Sequence, residues 1–89
     1  MATPAQIAND MAAHAAWWNG RDSNVARACR DAARVLRMLL AGERVDGRTW
    51  GGLHHRLLTL ARPGSELRAY PDFDRARMTL EALRREAGQ

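Results

Sequence analysis

Apolar residues recur along this chain at spacings of three and four, and four stretches carry the pattern. The clearest is residues 23–41. There Val25, Ala28, Cys29, Ala32, Val35, Leu36, Leu39 and Leu40 fall on one side of a helix that turns by about 100° per residue. Arg27, Arg30, Arg34 and Arg37 fall on the other side. This is the signature of an amphipathic helix laid over a core. Ser23, with Asp22 beside it, is the expected N-cap, and Gly42 stands where a left-handed C-terminal residue is wanted.

The pattern predicts a first helix over 4–19. Thr3 caps it, Pro4 takes the first helical position, and Gln6 reaches back in a capping box. Its apolar side holds Ile7, Met11, His14, Ala15 and Trp18, with Asp10 and Trp17 about a quarter turn away, and Gly20 ends it. A third helix is expected over 49–62, capped by Asp46 or Thr49 and stopped by Pro63 and Gly64. Its stripe is Trp50, Leu53, Leu57, Leu60 and Ala61, with Leu58 at one edge. Gly51 and Gly52 weaken its first turn, at about 1 kcal/mol each. Residues 65–71 read as a loop. A fourth helix over 72–87 carries the narrow stripe Phe73, Ala76, Leu80, Leu83 and Ala87, and Glu81 and Arg85 form an i,i+4 pair. No stretch alternates as a strand does. The fold class that follows is all-α: a small bundle of about four helices, mostly antiparallel because the first connection is short, in a single domain over 1–89.

Length and composition narrow the picture. Eighty-nine residues supply one modest core. No apolar run reaches membrane-spanning length, and the first residues lack a basic start followed by an apolar core. The expectation is a cytoplasmic protein with no membrane contact. A single cysteine, Cys29, excludes an internal disulfide and agrees with a reducing compartment.

The charge is +4, with a sequence pI of about 10.9. Basic domains meet polyanions. All fourteen basic residues are arginine, however, and alanine is abundant, so part of the excess reflects a GC-rich coding bias. Ten acids are interspersed among the arginines, and there is no basic tail.

The stripe Arg27, Arg30, Arg34 and Arg37 is the most pointed surface feature. It spans roughly 15 Å of helix, enough to follow a phosphate backbone or meet an acidic protein patch. The plain alternative is the solvated side of the helix, with Asp31 answering some of the charge locally. Trp17 is the other candidate contact. Trp17 and Trp18 point about 100° apart, so both cannot face one core; Trp18 is expected to be buried and Trp17 half-exposed, a frequent anchor at interfaces. Trp50 is expected in the core.

Other chemistry finds little support in the residues. His54 and His55 are adjacent and so lie on different sides of their helix. A His14, Cys29 and His54 cluster is conceivable in a bundle core, but no CxxC, HxxxH or HExxH spacing accompanies it. A hydrogen-bonded histidine and a buried thiol are the simpler reading, and no metal, cofactor or catalytic residue is expected. The connection over 43–48 is longer than a helix-turn-helix turn, and the helix beyond it opens with Trp50, Gly51 and Gly52 where base-reading polar side chains belong.

The residues therefore point to a non-enzymatic protein that binds a surface of a larger protein or nucleoprotein complex. Its contacts would be the four arginines and Trp17. Size and the want of a reactive site also describe phage- or mobile-element-encoded inhibitors of the anti-CRISPR kind, and the expectation extends to that group on those grounds alone. A nucleic-acid-binding accessory protein, using the arginines on phosphates, is the alternative. A homodimer or other self-association module, covering the narrow stripe of the last helix, is the third reading.

Overall fold

Thr3 sets the first helix as its sequence predicts. The Gln6 amide donates to Thr3 Oγ1 at 3.2 Å and the Thr3 amide donates to Gln6 Oε1 at 2.8 Å, so two orphan donors are satisfied reciprocally. In the computed structural model, which describes residues 2–60 and 71–88 with the side chains of 58, 59, 60 and 71 excepted, four helices follow one another. They are α1 (Pro4–Trp18), α2 (Ser23–Leu40), α3 (Gly47–Leu60) and α4 (Pro71–Glu86). No strand occurs among the described residues. The expectations placed on Leu58, Leu60, Ala61, Arg62, Pro63, Gly64 and the loop over 65–71 lie outside the described side chains or residues.

Local chemistry moves several boundaries. Asp22, not Ser23, caps α2: its Oδ1 accepts from the amides of Asn24 at 3.0 Å and Val25 at 3.3 Å. A carboxylate there also faces the positive end of the helix dipole, which a serine hydroxyl answers less well. At the other end Gly42 takes φ +78°, the Glu43 amide donates to the Met38 carbonyl and the Gly42 amide to that of Leu39. That pair of bonds is a Schellman closure, which needs a left-handed residue at this position. α3 starts at Gly47, two residues earlier than expected, because Asp46 captures the cap. Its Oδ1 accepts from the Thr49 amide at 2.7 Å, and its Oδ2 accepts from the Thr49 hydroxyl at 3.1 Å. The Thr49 amide, with the hydroxyl second, holds the Asp46 carboxyl below the usual carboxylate range.

The helices pair antiparallel, α1 with α2 and α3 with α4. Arg37 near the end of α2 donates to Asn9 near the start of α1 at 3.1 Å. Arg84 near the end of α4 lies over the ring of Trp50 near the start of α3, and His54 faces Glu81 at 3.7 Å. Both α2 and α4 pack against all three other helices. The core they enclose includes Met11, Val25, Cys29, Val35, Leu36, Leu53, Leu57 and Phe73, each essentially out of solvent. Burying one aliphatic or aromatic side chain of that size is worth roughly 1.5–3 kcal/mol. Trp50 is buried as expected.

Three expectations about the apolar stripes are corrected. Leu40 is 47% exposed, because it is the last residue of α2 and the chain turns away there through Ala41 and Gly42. Trp18 packs against the core but is only half-buried. Ala87 is exposed in the turn beyond α4, whereas Phe73, Ala76 and Leu80 are buried and Leu83 packs against them within the same chain. The expected Glu81–Arg85 pair also gives way. Glu81 takes Arg77 at 3.3 Å, while Arg77 is held at 2.8 Å by Asp74 as well and its guanidinium pKa is raised, mainly by that Asp74 bond. Among the described residues no helix is long and apolar enough to cross a membrane.

Candidate partner-binding face

The 3-4-3 spacing that puts Arg27, Arg30, Arg34 and Arg37 on one side of α2 leaves all four exposed. Alanines on the flanks of this face explain why the arginines stand clear. Ala33 is buried where α1 packs, and Ala12, Ala15 and Ala16 of α1 are too short to cover the guanidinium groups. Arg37 is tethered to Asn9. Among the described residues no carboxylate pairs with Arg27, Arg30 or Arg34.

Asp31, expected to neutralise part of this stripe, makes its ion pair with α3 while still lining one depression with Arg27 and Arg34. Its Oδ2 accepts from Arg56 of α3 at 2.5 Å, a half-exposed pair joining the two helices. Such a pair is worth under about 1 kcal/mol, and its main effect here is to fix where Arg56 points.

Two depressions flank α2 and share Arg34. The one against α1, about 560 Å³, has an alanine floor with Arg30, Arg34 and Arg37 on one wall and Glu43 at its end. The one against α3, about 250 Å³, is lined by Arg27 and Arg34 from α2 and by Arg48 and Arg56 from α3, with Asp31 among them. Arg48 and Arg56 were not singled out from the sequence. A signal existed: Arg48, Gly52 and Arg56 stand at i, i+4 and i+8, hence on one line along α3. What the line faces is a tertiary matter.

Trp17 is not brought into this face. It is 52% exposed and lines a separate depression of about 510 Å³ with Asp10, His14, Trp18 and Asp72. Its ring meets Trp18 edge-on at 4.8 Å and carries the Arg21 guanidinium at 4.3 Å, and Arg21 also donates to the Trp17 carbonyl. The indole is thus held from two sides while its remaining surface faces solvent.

The histidines and the cysteine stand apart from one another. His14 Nε2 bonds Asp72 Oδ2 at 2.8 Å and the ring stacks on Phe73 at 5.8 Å, so it ties α1 to the first turn of α4. His54 is exposed beside Glu81. Cys29 is fully buried, and burial pushes its thiol up to about 12, far from the thiolate a nucleophile or metal ligand needs. Among the described residues no three His, Cys, Asp or Glu side chains are grouped to hold a metal ion.

Fold and face together define a small all-α bundle with one helix presenting an exposed arginine side. Comparison of the chain with known protein families, with curated proteins and with solved structures finds no match.

Proposed function

We propose that this chain is a non-catalytic binding module that docks on a larger protein or nucleoprotein partner through the arginine face of α2. The observation that carries this reading is the exposure of Arg27, Arg30 and Arg34 with no carboxylate paired to them among the described residues. Like charges at i,i+3 and i,i+4 each cost the isolated helix a few tenths of a kcal/mol. An acidic surface on a partner would turn that cost into attraction, and guanidinium forks match carboxylate and phosphate oxygens in pairs. Trp17, whose ring contacts Trp18 and Arg21, is a second contact at a separate place on α1. An inhibitor of the anti-CRISPR kind would be one use of such a face.

The test is capture of partners from a cell lysate by tagged protein, with and without nuclease, set beside a variant carrying Arg27→Gln, Arg30→Gln, Arg34→Gln and Arg37→Gln. The expected result is a defined set of partners held by the wild type and lost from the variant, with helical content unchanged by circular dichroism. Equal retention by both proteins overturns the assignment to α2.

A further inference from the structure

Four arginines from two helices line the depression between α2 and α3 together with one carboxylate. Asp31 is already engaged with Arg56, which leaves Arg27, Arg34 and Arg48 lining the same 250 Å³ with no ion pair among the described residues. We propose that this depression is a phosphate site and that the face to which it belongs carries a nucleic-acid backbone. The inference rests on the reading of the α2 arginines as the binding face and names the chemistry of the partner.

Three features favour phosphate over the acidic side chains of a protein. The first is continuity. Arg34 also lines the depression against α1, where Arg30 and Arg37 stand, so the basic groups form a track over the crest of α2 instead of a single spot. A track suits a ligand that repeats its charge at regular intervals. The second is the lining. Beside the arginines, this depression offers Thr49, Gly52 and Leu53, with no aromatic side chain, whereas protein interfaces concentrate aromatics at their buried centres. The exposed indole of Trp17 belongs to another depression. The third is access. A Cβ built on Gly52, between Arg48 and Arg56, meets nothing within 4 Å, so the space between the two arginines is open. The positive end of α3 is already answered by the Asp46 carboxylate, so the attraction comes from the arginine side chains.

The experiment is fluorescence anisotropy of the full chain with a short labelled DNA duplex across a salt series, repeated with labelled poly-glutamate. The variants are Arg48→Gln, which removes a longer-range attraction to Asp46 but no ion pair among the described residues, and Arg30→Gln with Arg37→Gln on the crest. Thermal melts confirm that each variant is folded. For the wild type, log affinity for the duplex is expected to fall linearly with log salt, with a slope near −0.9 for each phosphate contacted. Arg48→Gln is expected to weaken binding and reduce that slope by about one. Unchanged affinity and slope in Arg48→Gln overturn the phosphate site. Arginine-dependent binding of poly-glutamate with none of DNA overturns the nucleic-acid inference and leaves the proposed function standing. Binding of neither overturns the nucleic-acid inference.

Discussion

Single residues in this protein divide by whether their charge has a partner inside the fold. Cys29 has none and stays neutral. Its thiol, ordinarily at 9.0, is pushed up to about 12 by burial. Between those values the unfolded chain releases the proton and the folded chain keeps it, so stability present below pH 9.0 is lost progressively as pH rises toward 12. The urea midpoint is therefore expected to drop more steeply with alkalinity in the wild type than in Cys29→Ala. A thiol reagent should leave the native protein unlabelled at neutral pH and react once denaturant is added. Labelling of the native protein at the unfolded rate would contradict the burial. His14 behaves otherwise: Asp72 engages its ring nitrogen and Phe73 stacks on its face, which makes it a tie between helices. Its place on the apolar side of α1 was legible; that its partner would be Asp72, fifty-eight residues on, was not.

At the level of elements, the patterns of three and four located all four helices, and capping chemistry set the starts of α1, α2 and α3. Where two cap residues competed, the carboxylate prevailed in both α2 and α3. An aspartate both accepts amide hydrogen bonds and faces the helix dipole. The weak point of α3 is its pair of glycines. Gly51 is exposed, lacks a left-handed φ, and a Cβ there meets nothing within 4 Å. Gly51→Ala is accordingly expected to stabilise the protein by about 0.5–1 kcal/mol, read as a higher urea midpoint. The same change at Gly42, whose φ is +78°, should destabilise it. A loss of stability on Gly51→Ala would show that α3 does not continue through this turn as a regular helix.

Across the whole molecule, charge is arranged unevenly. Among the described residues four acidic groups sit in ion pairs: Asp31 with Arg56, Asp72 with His14 and Arg75, Asp74 and Glu81 with Arg77. The α2 arginines are mostly left without such partners. Arg30 has arginines three residues before it and four after it on the same face. Arg30→Gln should thus raise the melting temperature slightly at low ionic strength, by the equivalent of a few tenths of a kcal/mol. The gain should vanish near 1 M salt, where the screening length is about 3 Å. A salt-independent change, or a loss, would mean that Arg30 contributes packing and not repulsion. Much of the narrow stripe of α4 that suggested self-association packs against the other helices, while Met78 of the same helix stands 58% exposed.

The sequence by itself determined the helices, because period, caps and breakers act over a few residues. It determined the arginine face of α2 for the same reason, since residues at i, i+3, i+4 and i+7 share a side wherever the helix is placed. Tertiary structure alone decided that Asp31 turns to Arg56, that Arg48 and Arg56 stand opposite Arg27 and Arg34, and that Trp17 lies apart from them. Those relations depend on how one helix is rotated and set against another. That choice is made by burial of the full core, in which α2 and α4 each meet all three other helices.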